Sequence, residues 1–221
     1  MRRWQESPSN YVHSPIRSGQ PIGIQRCYVV YINLEHRSDR RQSFQTQMET
    51  LDVAHFRRFE AVRAQPGGLG CSMSHDRVLS SWSPVGDQLL MVCEDDALFL
   101  ASRPEIDEII EEFAADPRLS VLALANSTPW RIPISDRLAI SSDIQTTACY
   151  VAKASAVPGL IRSAQASMSA FAAKKRYAAA AIDQVWKTYQ HEVFFAVPRN
   201  RAVIQMPGES DIEGGWRRYN A

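Results

Sequence analysis

Three consecutive carboxylates, Glu94, Asp95 and Asp96, are the residues of this chain that point most directly to chemistry. They follow an apolar run at residues 89–93 and precede a second one at residues 97–101. Carboxylates at the end of a buried strand are costly unless a positive charge compensates them, and a divalent cation with oxygen ligands is the usual compensator. The spacing fits a metal that also holds a diphosphate and therefore predicts nucleotide-sugar chemistry. The alternative is that these acids cap the next helix or face water.

Polar side chains also follow the first predicted strand, at residues 27–34. Asn33 lies at its end, and ligands of parallel α/β sheets bind at the carboxyl ends of strands, so we expect Asn33 to meet the three acids. Arg37, Arg40 and Arg41 come next, and guanidinium groups pair well with phosphates. Arg37 is the arginine that we favour for contact with a donor, and a solvated helix face is the alternative for each arginine. Asn33 is a candidate for a hydrogen bond to the nucleobase, and capping of the strand end is its alternative.

Composition limits the class of protein. The 221 residues carry 25 basic and 24 acidic side chains, a net charge of +1, which gives no reason to expect nucleic acid as a partner. Apolar runs are too short to span a bilayer, and no apolar segment follows the basic start, so we expect a cytoplasmic protein without a membrane span. The four cysteines contain no C-x-x-C pair, which argues against a zinc site, and they are expected to be buried, reduced thiols.

Hydrophobic patterning predicts an α/β fold. Residues 1–25 are polar and contain prolines, so we expect an extended or disordered arm, with one domain at residues 26–221. The glycine-rich stretch at residues 66–70 is expected to be a loop, and the stretch at residues 126–142 to be irregular. The predicted strands lie at residues 27–34, 55–61, 88–93, 119–125, 147–152 and 193–197, and the predicted helices at residues 72–82, 104–116, 155–166 and 182–190, with another opened by Ser38 or Asp39. Their alternation predicts a mostly parallel central sheet with helices on both faces.

Four short stretches, taken together, resemble one family. They are I-N-L-E-H-R-S-D-R-R at residues 32–41, G-L-G-C-S-M-S-H at residues 68–75, the acids at residues 94–96, and a last stretch in which Asp183 opens D-Q-V-W and S-D-I follows at residues 210–212. In this order the chain resembles glycosyltransferase family 25, which includes lipopolysaccharide, lipooligosaccharide and collagen galactosyltransferases. The usual A-V-D-G of that family is replaced here by A-V-R-A, which places Arg63 beside the expected donor site.

The resemblance implies a single GT-A-like domain that transfers a hexose, most commonly galactose, from a UDP-sugar with inversion. It implies Mn²⁺, or Mg²⁺, held by the three acids, and it makes Asp183 the candidate general base, with Asp211 next. A helix N-cap or first-turn acid is the alternative for Asp183. The residues that the resemblance adds to Asn33 and Arg37 as candidates for donor binding are Arg40, Ser74, His75, Ser210 and Asp211.

Two other functions compete with transfer. One is a catalytically silent relative that binds a nucleotide sugar or a protein partner. The other is a nucleotidyltransferase or phosphohydrolase, which the chain supports less well because it has no Walker-type loop. Four classes of acceptor are open: a carbohydrate such as a surface polysaccharide in lipopolysaccharide biosynthesis, a lipid-linked glycan, a protein and a small molecule. The sequence does not indicate an oligomeric state.

Overall fold

The computed structural model describes residues 23–212 and 214–217. Most of the predicted N-terminal arm therefore lies outside the described residues. Its last three residues are packed rather than extended: the Gly23 amide donates to Glu111 at 2.7 Å, and Ile24 is buried in the core within a short 3₁₀ helix, Ile24–Arg26. Gly23 and Ile24 thus pack against the rest of the described residues, although the predicted domain begins at residue 26.

The described residues form twelve strands and six α-helices. The strands are β1 (Cys27–Asn33), β2 (Phe56–Glu60), β3 (Leu89–Glu94), β4 (Ala97–Phe99), β5 (Leu119–Ala123), β6 (Ile132–Pro133), β7 (Leu138–Ser141), β8 (Cys149–Ala152), β9 (Phe194–Pro198), β10 (Val203–Gln205), β11 (Gly208–Glu209) and β12 (Trp216–Arg217). The helices are α1 (Ser38–Thr50), α2 (Gly67–Ser81), α3 (Arg103–Ala115), α4 (Val157–Ala172), α5 (Tyr177–Ala180) and α6 (Ile182–Val185), with further 3₁₀ turns at Ala154–Ala156 and Tyr189–His191.

Eight strands form the central sheet, in the order β2-β1-β3-β8-β5-β9-β7-β6. β1 pairs in parallel with both β2 and β3, whereas β8 runs antiparallel between β3 and β5. Following the pairings across the sheet, six of the eight strands point the same way, and only β8 and β7 are reversed. The carboxyl ends of β1, β2 and β3 consequently lie side by side at one edge.

Helices cover both faces of this sheet, because side chains along each central strand point alternately to opposite faces. In β1, Val29 and Tyr31 pack with residues of α1 and α3, whereas Val30 and Ile32 pack with residues of α2 and α4. Every one of these positions is thus buried, which explains the unbroken apolar runs of the sequence. The predicted α/β class, with a mostly parallel sheet and helices on both faces, is confirmed.

Two small sheets bring late residues to the edge where the acids lie. β10 pairs antiparallel with β4 and sets Gln205 opposite Ala97, the residue after the acids. The Met206 amide donates to the Asp96 carbonyl at 2.7 Å. β11 and β12 form a hairpin beyond it. Residues from distant parts of the sequence are thereby fixed beside each other.

Several local predictions were wrong. Residues 67–70 form the first turn of α2 and not a loop, because the absence of side chains allows the helix to pack closely: a Cβ on Gly70 would collide with the Val62 carbonyl. The stretch at residues 126–142 is not wholly irregular, since it contributes β6 and β7 to the sheet. The residue before α1 is Arg37, and its side chain makes no capping hydrogen bond.

Within the described residues, no helix combines the length and the apolar character that crossing a bilayer would require. The four cysteines are all free; Cys27, Cys93 and Cys149 are buried, whereas Cys71 is partly exposed.

Candidate active site

A cleft of about 540 Å³ opens at the carboxyl ends of β1, β2 and β3. Parallel strands place these ends at one edge, and the C-terminal segment after β10 closes the opposite side. The cleft therefore collects residues from stretches that are far apart in sequence. Its polar lining residues are His36, Arg40, Arg63, Gln65, Cys71, Ser74, His75, Glu94, Asp95, Asp96, Gln205, Ser210 and Asp211.

Arg40 is the cation that faces the acids in this cleft. Its Nη1 donates to Asp95 Oδ1 and to Asp96 Oδ2, both at 3.0 Å, and its Nη2 donates to the Glu209 carbonyl at 2.7 Å. Burial alone would lower the pKa of Arg40, but the charges of Asp96 and Asp95 raise it, so the guanidinium stays charged. Arg40, a candidate for donor binding, thus lies in the cleft, where its side-chain partners are the carboxylates of Asp95 and Asp96.

Asn33, one candidate for contact with the nucleobase, does not line the cleft. It is buried, and its Nδ2 donates to Asp95 Oδ2 at 2.7 Å and to the Arg37 carbonyl at 3.0 Å. Its Oδ1 accepts from Arg58 at 2.9 Å and from Arg41 at 3.3 Å. Because every polar atom of the side chain is used, Asn33 holds Asp95 in place and has no group left for a ligand.

Asp96 is the acid best arranged to bind a cation. It is buried, and its Oδ2 accepts from Arg40 and, at 3.2 Å, from Gln205, whereas its Oδ1 is buried and has no hydrogen-bond partner among the described residues. Burial, followed by the charge of Glu94, raises the pKa of Asp96 to about 7.

The acids together lack positive charge. Arg40 offers one charge against the two carboxylates of Asp95 and Asp96, so at least one stays uncompensated when both are ionised. Burial also raises the pKa of Asp95, against the influence of Arg40 and Asn33. A divalent cation with oxygen ligands would supply the missing charge at the unpartnered Oδ1, so these residues fit a hard metal ion such as Mn²⁺ or Mg²⁺.

Glu94 turns to a different side of the cleft from Asp95. Its Oε1 accepts from the Thr147 hydroxyl at 2.7 Å and lies 3.4 Å from His75 Nε2. Burial would raise the pKa of Glu94, but His75 and Thr147 lower it, so the carboxylate is ionised. The three acids therefore do not form one ligand set. Asn33 and Arg40 hold Asp95, whereas Glu94 contacts His75 of α2 and Thr147, which lies just before β8.

Ser74 and His75 lie on the buried face of α2, and their side chains have different roles. The Ser74 hydroxyl donates to the Gly70 carbonyl at 2.7 Å and accepts from the Val62 amide at 2.9 Å. Both of these interactions are internal, so Ser74 positions the chain around Arg63. His75 Nδ1 lies 3.1 Å from the Tyr150 hydroxyl, whereas its Nε2 is buried without a hydrogen-bond partner in the described residues.

Arg37 contacts the C-terminal segment and does not line the cleft. Its Nε and Nη2 pair with Asp39, and its Nη1 donates to Asp211 Oδ2 at 2.6 Å. His36 Nε2 lies 2.9 Å from the other oxygen of Asp211. Burial would raise the pKa of Asp211, but these two partners lower it, which makes Asp211 a poor proton acceptor. Ser210 and Asp211 do line the cleft, and Arg37 holds them there.

A second cavity, of about 340 Å³, adjoins the cleft and contains Asp183. Cys71, Glu94, Gln205 and Ile212 line both spaces. Asp183 lies in the first turn of α6, which is the position that the alternative of a first-turn acid predicts. Its Oδ2 also accepts a hydrogen bond from the Thr146 amide at 3.2 Å. Burial raises the pKa of Asp183 against the effect of that hydrogen bond.

Thr146 adopts a left-handed backbone conformation, with φ of 70°. This region is unfavourable for a β-branched residue, and such strain persists only where surrounding contacts enforce it. Here the conformation directs the Thr146 amide to Asp183. Asp183 is half-buried, and a carboxylate with a raised pKa at the wall of a cavity is suited to accepting a proton.

Sequence reasoning missed Gln205, Thr147 and Tyr150. Gln205 donates a hydrogen bond to Asp96, Thr147 donates one to Glu94, and the Tyr150 hydroxyl contacts His75. The strand prediction for residues 147–152 placed two of them in an apolar run, which gave no sign that their hydroxyl groups contact Glu94 and His75. Only the pairing of β8 with β3 and of β10 with β4 brings these side chains to the acids.

The fold and the site define an α/β protein with an acidic cleft at the carboxyl ends of parallel strands. No protein-family model matches the chain, and no curated protein matches it. One solved structure that aligns with it is a glycosyltransferase involved in the glycosylation of the major capsid of PBCV-1, with 9% identity, coverage of 65% of this chain and 66% of that chain, and a TM-score of 0.38.

A second solved structure is the mannose-1-phosphate geranyltransferase from Thermus thermophilus. It shares 10% identity, the alignment covers 87% of this chain and 76% of that chain, and the TM-score is 0.41. The chain spans just under two thirds of the length of the first structure. The fold class of the chain therefore rests on its own sheet order and helix packing, and its function on the residues of its cleft.

Proposed function

We propose that the protein is a metal-dependent glycosyltransferase that moves a hexose, with galactose as the first candidate, from a UDP-sugar to an acceptor hydroxyl with inversion. The observation that supports transfer is the meeting of four distant stretches in one cleft, with Asp183 in an adjoining cavity. The donor nucleotide, the sugar, the GT-A-like arrangement and the inversion rest on the resemblance to glycosyltransferase family 25.

In this proposal the donor diphosphate binds in the larger cleft. Asp96, with Asp95 beside it, would hold Mn²⁺ or Mg²⁺, which when bound neutralises negative charge on a departing nucleoside diphosphate. Arg63 is exposed at the cleft and has no hydrogen bond or ion pair with the described residues, so its guanidinium is free to contact a phosphate. The replacement of the family's acid by Arg63 thus adds a cation to the donor side.

Asp183 is the proposed general base. As the acceptor oxygen forms its bond to the anomeric carbon, the bond from that carbon to the diphosphate oxygen breaks, and the nucleoside diphosphate leaves with the electron pair. Asp183 takes the proton of the attacking hydroxyl. The Thr146 amide keeps one carboxylate oxygen fixed, which leaves the other to face the acceptor.

The second cavity is the proposed site of the acceptor. Its lining includes six uncharged polar side chains, together with apolar residues and Tyr177. Amide and hydroxyl side chains can hydrogen-bond sugar hydroxyls, and an aromatic ring offers an apolar face. Among the acceptor classes, this lining favours a saccharide hydroxyl. The uncharged polar side chains are those of Ser127, Gln145, Thr146, Thr147, Gln184 and Gln205.

The test of donor chemistry is release of the nucleoside diphosphate from a panel of nucleotide sugars, with and without Mn²⁺. We expect release that requires the metal and that is lost in Asp96→Asn. Asp39→Asn is the matched control, because Asp39 is an exposed acid that pairs with Arg37 outside the cleft. Equal release with and without metal by a folded protein would contradict the metal-dependent reaction.

The test of the base is Asp183→Asn. We expect donor binding to be retained and transfer to fall by about 100- to 10,000-fold, the usual contribution of general base catalysis. Asp143→Asn is the control, because Asp143 is a nearby acid that pairs with Lys187 and does not line the cavity. Unchanged transfer by Asp183→Asn would exclude this residue as the base.

A catalytically silent relative is the second candidate, and one observation favours it. Arg40 already compensates part of the charge of Asp95 and Asp96, so the acids have a resident partner without any metal. Calorimetry with UDP and UDP-sugars distinguishes the two functions. Donor binding without turnover in the presence of saccharide, lipid-linked and protein acceptors would favour the silent relative.

A further inference from the structure

Three potential metal ligands converge where the two cavities meet. Cys71 Sγ, a ring nitrogen of His75 and a carboxylate oxygen of Glu94 all lie within 4.8 Å of one another. Cys71 and His75 are four residues apart on α2 and so share one face of that helix, while Glu94 ends β3. This cluster differs from the Asp95 and Asp96 pair, since it includes sulfur and nitrogen.

An unsatisfied nitrogen points into the cluster. His75 is fully buried, and its Nε2 has no hydrogen-bond partner in the described part of the chain, although it lies 3.4 Å from Glu94 Oε1. A buried polar atom without a partner costs stability and calls for an explanation such as an ion. A tetrahedral Zn²⁺ ion would bring its ligand atoms about 3.3–3.8 Å apart, so the histidine and glutamate atoms already have a suitable separation.

The surroundings hold each ligand as a metal site requires. The Tyr150 hydroxyl lies 3.1 Å from His75 Nδ1 and can accept its proton, which leaves the Nε2 lone pair for a metal. The Thr147 hydroxyl donates to Glu94 Oε1 at 2.7 Å and orients that carboxylate. Such hydrogen bonds from neighbouring residues fix ligands before the ion arrives.

We propose that Cys71, His75 and Glu94 form a binding site for one thiophilic divalent cation, of the class of Zn²⁺. Thiolate and imidazole ligands favour zinc over the hard ions that suit the nearby aspartates. On binding, the Cys71 thiol releases its proton to solvent and the thiolate forms a bond with the metal. Three protein ligands leave a fourth position, and because Cys71 and Glu94 line both cavities, an oxygen of a bound molecule can reach it from either one.

The test uses the full-length protein freed of metal and titrated with Co²⁺, a spectroscopic substitute for zinc. We expect a thiolate-to-cobalt charge-transfer band in the near ultraviolet that saturates at one Co²⁺ per chain and is lost on displacement by Zn²⁺. Cys71→Ser should remove the band. His75→Gln should weaken binding by at least about 10-fold, and Tyr150→Phe by about 10- to 100-fold. Cys27→Ser is the matched control and should keep the band, because Cys27 is a buried thiol outside this cluster.

A second measurement needs no variant: Zn²⁺ should protect Cys71 from alkylation, as identified by peptide mass. The proposal is overturned if the band survives Cys71→Ser, if no band appears in the folded protein, or if Zn²⁺ leaves the alkylation of Cys71 unchanged. Asp96→Asn separates this site from the proposed donor metal, because that variant should retain the charge-transfer band while losing metal-dependent release of nucleoside diphosphate.

Discussion

Replacement of Asp96 by asparagine is expected to stabilise the protein when metal and donor are absent, and more strongly as the pH rises. An ordinary aspartate has a pKa of 3.8, whereas burial and neighbouring negative charge raise that of Asp96 to about 7 in the folded protein. Between these values the folded state binds more protons than the unfolded state, so wild-type stability falls as the pH rises. Ionisation of Asp96 therefore lowers the free energy of unfolding by nothing below pH 3.8 and by its full amount above about pH 7. Asparagine cannot ionise and avoids this cost.

The magnitude follows from the two pKa values. Each tenfold change in a protonation equilibrium corresponds to about 1.4 kcal/mol, so the charged form of Asp96 destabilises the fold by about 4 kcal/mol at about pH 8 and by about 1.7 kcal/mol at about pH 5. The asparagine amide oxygen can still accept hydrogen bonds from Arg40 and Gln205. The stability gained by the variant should therefore grow by about 2–3 kcal/mol between these two pH values.

Urea unfolding in the presence of EDTA, at several values between about pH 5 and about pH 8, measures this difference in free energy of unfolding. Asp39→Asn is the control: a hydrogen bond from Arg37 lowers the pKa of Asp39 to about 2, so its contribution is lost only as the pH falls through that value and is flat over this range. A gain that does not change with pH, or an Asp96→Asn protein that is less stable at about pH 8, would refute the reasoning. Added Mn²⁺ should stabilise wild type and not the variant.

Two further predictions concern the structure around the cleft. Gly70→Ala should lower the free energy of unfolding by about 1–3 kcal/mol, because the added methyl group meets the Val62 carbonyl; an unchanged melting temperature would contradict this. Arg37→Gln should raise the rate of limited proteolysis within residues 207–212 by about 10-fold, because it removes the charge-assisted hydrogen bond to Asp211, and an unaltered rate would mean that other contacts hold the segment.

The predicted sheet shows what hydrophobic patterning can and cannot establish. The six predicted strands correspond to β1, β2, β3, β5, β8 and β9. Five of them are mostly buried and therefore apolar, whereas β2 is an edge strand that is only partly buried and carries two arginines. The short strands β6 and β7 were missed, since their stretch is rich in proline and polar residues. The first turn of α2 was missed because glycine disfavours a helix in isolation, whereas here close packing against Val62 requires it.

The sequence indicated which residues come together in the cleft more accurately than it indicated which groups they contact. Arg40, His75 and the three acids do meet in one cleft, as the order of motifs and strand ends implied. The partners differ from those expected, because a polar group at a strand end binds whichever group lies nearest. Asn33 and Arg37 were candidates for donor contact, yet their side chains are occupied by Asp95 and the C-terminal segment.

By itself, the sequence determined the α/β class, the main strands and the position of a carboxylate group at the end of β3, because these depend on local periodicity and on residue order. Tertiary structure alone decided how the three acids divide their roles. Strand pairing and crossover place Arg40 and Gln205 against Asp96, Thr147 and His75 against Glu94, and Asn33 against Asp95. Such contacts join residues from distant parts of the chain, and burial then shifts each pKa according to its own neighbours.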